Sequence, residues 1–104
     1  MTYTAREVDQ EIAHREGWDN LVYKTDGYLT AVLLQNEPVV LTKVASKNSD
    51  EETDSAVWVV VRVGGQYFRK EGYYQSHYGT EWDGSVHEVW PKEKTVTVYE
   101  NNNL

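Results

Sequence analysis

The chain has 104 residues, a net charge of −7 from 17 acidic against 10 basic side chains, and no cysteine. A chain of that length supports one core and not two. The lack of thiols excludes a disulfide framework and a thiolate metal site, and the negative field disfavours direct contact with nucleic acid or an anionic membrane.

Hydrophobic residues make up 39%, with Val, Tyr and Trp dominant among them. That choice suits half-buried pleated surface and offers enough area to fold, so disorder is not expected. No apolar run approaches the roughly 20 residues that span a bilayer. The start Met1-Thr-Tyr-Thr-Ala-Arg-Glu7 is not a signal peptide. The expectation is a soluble protein of the cytoplasm.

The first element is a helix. Thr4-Ala-Arg-Glu7 has the capping-box pattern, predicting a helix over Ala5–Arg15 that Gly17 ends. Its apolar positions Ala5, Val8, Ile12 and Ala13 make one narrow face. An isolated helix of this length is marginal in water, so that face must pack on another layer.

From Leu21 the period changes. Tyr28–Gln35 reads as a strand, and Asn36-Glu37-Pro38 reads as the turn into a second strand, Val39–Ala45. Val39-Val40-Leu41 is apolar on both faces before alternation begins. Lys47–Ser55 holds no apolar side chain and reads as a solvated loop. Ala56–Val63 is the strongest strand signal, and Gly64-Gly65 joins it by a tight hairpin to Gln66–Lys70. Thr95–Tyr99 is a last strand, and Asn101–Leu104 a frayed tail. No repeat or linker divides the chain, which reads as one domain over residues 1–104. The fold class is α+β, an N-terminal helix on a mostly antiparallel sheet of about five strands.

The segment Gly72–Gly84 stands apart. It holds Tyr73, Tyr74, Tyr78 and Trp82, His77, the carboxylates of Glu81 and Asp83, and three glycines within thirteen residues. It reads as a loop projecting from one end of the sheet. Trp58, Tyr67, Phe68 and Trp90 extend the aromatic group. Tyr and Trp bury much area while losing few rotatable bonds, which makes them common anchors in binding surfaces. They equally close the corner of a core. Base stacking would need Lys and Arg among the rings, whereas Arg69 and Lys70 face Glu71, Glu81, Asp83 and Glu88.

Signatures of chemistry are sparse. His14, His77 and His87 form neither HExxH nor His-x-His spacing. His77 beside Glu81 or Asp83 would be the one base with an orienting carboxylate. Ser76 precedes His77 but lacks a Gly-x-Ser-x-Gly elbow. Gly64-Gly65 has no Walker spacing. Asp50-Glu51-Glu52-Thr53-Asp54 has Ser55 where a calcium loop needs glycine and Val61 where it needs Glu. No catalytic residue, metal or cofactor is expected, and an enzyme is not.

The run Tyr74-x-Ser76-x-x-Gly79-x-x-Trp82-Asp83-Gly84, continued by Lys94-Thr-Val-Thr-Val-Tyr-Glu100, resembles small acidic proteins of tailed bacteriophages. The resemblance covers roughly the last third of the chain and carries over no site residues. It implies a protein that binds and blocks a host enzyme or defence component from within the host cytoplasm. The density of rings beside acid, and not the resemblance, makes Tyr73, Tyr74, His77, Tyr78 and Trp82 the expected contacts to a protein partner, with Glu81, Asp83 and Glu88 steering its basic patch. Two other readings stay open. One is an acidic mimic of nucleic acid that blocks a DNA- or RNA-binding protein. The other is a minor assembly protein that pairs with its own copies through the Thr95–Tyr99 edge.

Overall fold

The computed structural model describes residues 2–48, 55–75 and 78–92. Among the described residues two helices, α1 (Ala5–Arg15) and α2 (Trp18–Val22), precede six strands. These are β1 (Leu29–Leu34), β2 (Glu37–Lys47), β3 (Ser55–Val63), β4 (Gln66–Gln75), β5 (Gly79–Glu81) and β6 (His87–Val89). All pairings are antiparallel. The order is β1-β2-β3-β4-β5, and β6 pairs with β4 as well. β5 covers Tyr73–Gln75 of β4, and β6 covers Tyr67–Arg69.

The capping box forms as the sequence predicts. The Thr4 hydroxyl accepts from Glu7 N–H, and the Glu7 carboxylate accepts from Thr4 N–H, each at 3.2 Å. The predicted turn at Asn36-Glu37-Pro38 lies one residue earlier, at Gln35-Asn36, with φ of 54° and 63°. Two left-handed residues match the right-handed twist of the flanking strands, so Leu34 pairs directly with Glu37 and Pro38 joins β2. The strand predicted over Gln66–Lys70 continues to Gln75. Residues 49–54 of the predicted acidic loop, the Thr95–Tyr99 strand and the Asn101–Leu104 tail lie outside the described residues.

Strand parity builds the two layers. Val57, Val59, Val61 and Val63 of β3, with Leu41 of β2 and Phe68 of β4, point into the core. Val8 and Ile12 of α1 and Trp18, Leu21 and Val22 of α2 close over them. Both helices therefore cover one face of the sheet. Two charged residues share that buried parity, Lys43 on β2 and Lys70 on β4. Buried ammonium groups need partners. Lys43 Nζ donates to Lys24 O at 2.6 Å and Asp26 Oδ1 at 2.9 Å. Lys70 Nζ lies 3.4 Å from Asp9 Oδ1, which also accepts from Trp18 Nε1 at 2.8 Å. Asp9 thus links α1, α2 and β4.

Candidate partner-binding surface

The aromatic segment is not a projecting loop. Its first half is the end of β4, and its second half returns as β5 along the same edge. Glycine makes the return possible. A Cβ at Gly72 would lie 2.7 Å from Glu81 O and 2.8 Å from Trp82 Cε3, and one at Gly84 would lie 2.7 Å from Glu71 O. Only residues without Cβ permit so close an approach. The Trp82 indole therefore folds over Gly72 on the helix side, where it packs on the core, and its Nε1 donates to Asp19 Oδ1 of α2 at 3.2 Å.

The residues predicted as one contact surface are consequently divided. Trp82 closes the end of the core. Tyr74 is half-buried and pairs with Thr80. Tyr73 and Glu81 pair across β4 and β5 on the opposite, helix-free side, and both are exposed. Tyr78 stands at the turn, 80% exposed. Asp83 is exposed and Glu88 half-buried. His77, with Ser76, lies outside the described residues.

A broader surface emerges on the helix-free face. Register places Leu29 beside Thr42, Ala31 beside Val40, and Arg62 between Thr42 and Tyr67. Among the described residues, seven large apolar side chains are exposed. Leu29, Leu33, Val40 and Tyr73 are on this face, and Trp90, 74% exposed, borders it. Of these seven, Tyr23 and Tyr78 lie elsewhere, so among the described residues exposure is concentrated on one side. Toward the β6 edge the face dips into a pocket of about 280 Å³ between Val60, Tyr67, Arg69 and Trp90. The Arg69 guanidinium sits 4.8 Å from the centre of the Trp58 ring and donates through Nε to Glu71 Oε1 at 3.2 Å.

The charges are arranged differently from the net value. On the helical layer every carboxylate is engaged within the chain. Glu7 accepts from Gln35 Nε2 at 3.0 Å, besides its role in the cap. Glu11 accepts from Arg15 Nε and, at 2.9 Å, from Leu33 N–H on the open edge of β1. Glu16 accepts from Asn20 Nδ2 at 3.1 Å and from the Tyr28 hydroxyl at 2.8 Å, and Asp9 and Asp19 hold Trp18 and Trp82. The bond to Glu16 holds the Tyr28 phenol above its ordinary pKa, with desolvation and the same negative charge adding to the effect. The helix-free face carries Lys47, Arg62 and Arg69 against Glu71 and Glu81, close to neutrality.

Sequence reasoning missed this face because a run such as Ala56–Val63 is apolar at both parities. The available signal was Val39-Val40-Leu41, apolar on both sides of its strand. Among the described residues no three His, Cys, Asp or Glu side chains cluster to hold a metal, and no helix is long and apolar enough to cross a membrane. Compared with protein-family models, curated proteins and solved structures, the chain matches none.

Proposed function

We propose that the chain is a non-enzymatic protein-binding domain whose contact surface is the helix-free face of its sheet. The observation that carries this reading is the concentration of exposed apolar side chains there. Leu29, Leu33 and Val40 lie on β1 and β2, Trp90 follows the Val89 partner of Tyr67 at the β6 edge, and Tyr73 stands six residues further along β4. Leu29, Leu33 and Val40 are neighbours around Ala31 across β1 and β2, and an exposed apolar cluster of this kind marks a partner surface. The near-neutral charge of the face suits a macromolecular interface core, which is poor in charge and rich in aromatic residues and Arg. Glu81, paired with Tyr73, gives this face an acidic margin that favours a basic patch on the partner.

The resemblance to small phage proteins gives the partner a setting, a host enzyme or defence component met in the host cytoplasm. That part of the proposal rests on the resemblance alone. The mimicry reading draws less support, because the carboxylates of Glu7, Asp9, Glu11, Glu16 and Asp19 serve bonds within the fold.

The test is capture from host lysate with the wild-type chain, a Leu33→Lys/Val40→Lys variant and a Tyr78→Ala variant. Both lysines replace exposed side chains, so the double variant keeps its Tm. It should lose a stoichiometric partner that the wild type retains. Retention of that partner at wild-type level would overturn the placement of the surface.

A further inference from the structure

The pocket on the helix-free face has a lining that selects a chemistry. Val44, Val60, Val89 and Pro91 supply aliphatic walls, the rings of Tyr67 and Trp90 stand among them, and Arg69 is the one charged group. Its volume of about 280 Å³ lies at the lower end of the roughly 300–1,000 Å³ typical of ligand sites. The fitting occupant is therefore a ring or short chain with a single polar head.

Arg69 specifies that head. Its Nε is engaged by Glu71 and its plane is set against Trp58. Its two terminal NH₂ groups have no hydrogen-bond partner among the described residues. Arg69 lines the pocket, and its two terminal groups together match the geometry of a planar anion. The Glu71 carboxylate beside it disfavours a doubly charged phosphate and leaves a single negative charge as the better match.

We propose that this pocket binds a small carboxylic acid with an apolar, preferably aromatic, body. The ring packs between Tyr67 and Trp90 and the carboxylate pairs with Arg69. This proposal does not depend on a protein partner covering the rest of the face.

The experiment is an NMR titration of the full chain with 4-phenylbutyrate, following the Trp90 indole N–H and the Val60 and Val89 amides. Saturable shifts are expected, with a Kd on the order of 1 mM for so small a ligand. The corresponding amide should bind at least tenfold more weakly. Arg69→Gln should weaken the acid at least tenfold at unchanged Tm, and Trp90→Ala should weaken it as well. Arg62→Gln should not change affinity, and Glu71→Gln should tighten binding severalfold by removing the competing carboxylate. Equal binding of acid and amide, indifference to Arg69→Gln, or no saturable shift at ten times the expected Kd would each overturn the proposal. An acetylated tetrapeptide with a C-terminal phenylalanine carboxylate is the comparison arm. Peptide binding tenfold tighter than the free acid would reassign the pocket to a partner's chain end and remove the small-acid assignment.

Discussion

The indole of Trp82 lies against the backbone of Gly72, so close that a Cβ at that position would sit 2.8 Å from Cε3. The contact fixes how the chain leaves β4, and it draws Trp82 inward instead of presenting it to solvent. Gly72→Ala should cost about 2 kcal/mol, roughly 10 °C in Tm, because the second clash is with the Glu81 carbonyl and backbone yields little. Trp82→Ala should also cost about 2 kcal/mol, as expected of a half-buried indole. Tyr78→Ala should stay within about 0.5 kcal/mol. Thermal melts of the three variants separate a structural Trp82 from an anchor: an unchanged Tm in Trp82→Ala would show that the indole is not part of the core.

Asp9 and Lys70 behave asymmetrically. Lys70 is buried, whereas the Asp9 carboxylate is partly open to water and also accepts from Trp18. Asp9→Ala leaves an ammonium without its partner in the core and should cost about 3 kcal/mol. Lys70→Met keeps the volume, removes the desolvated charge and should remain within about 1 kcal/mol of wild type. Equal destabilisation by both, measured by urea unfolding, would contradict this order.

Signals contained within a few residues are legible in the sequence, and those that depend on packing are not. The helix start at Thr4 and Glu7 is a local signal, complete within four residues, and the structure forms it as the sequence predicts. The Gly64-Gly65 hairpin is legible for the same reason. The Gln35-Asn36 turn was misplaced by one residue because Pro38 looks like a turn former, yet it stands on β2 opposite Leu33. β5 and β6 span three residues each, too short to show a period. Lys43 and Lys70 look solvent-facing by type, and only the packed helices show that their parity is the buried one. The aromatic segment looked like a single surface because sequence density does not reveal on which side of a sheet each ring lies.

Glu11 protects the free edge of β1. Its carboxylate accepts from Leu33 N–H, a donor that would otherwise invite another strand. Glu11→Ala should lose about 1 kcal/mol and allow edge pairing. Sedimentation velocity should then show concentration-dependent association where the wild type shows less. A variant that sediments as the wild type does would remove this role.

Alkaline pH tests the Tyr28–Glu16 bond. The folded-state pKa of Tyr28 is raised, so its contribution to stability is complete below the unfolded value of about 10. It is lost as pH rises through the higher folded value. Melting temperature in wild type should fall more steeply above about pH 10 than in Tyr28→Phe. Parallel curves would show that the bond adds no pH-dependent stability.

Side-chain footprinting of the chain bound to its captured partner tests the docking surface most directly. Protection at Leu29, Leu33, Val40 and Trp90 is expected, with His14 on α1 and Tyr23 after α2 labelled as in the free chain. Protection confined to the helical layer, with Leu33 and Val40 still fully reactive, would contradict it.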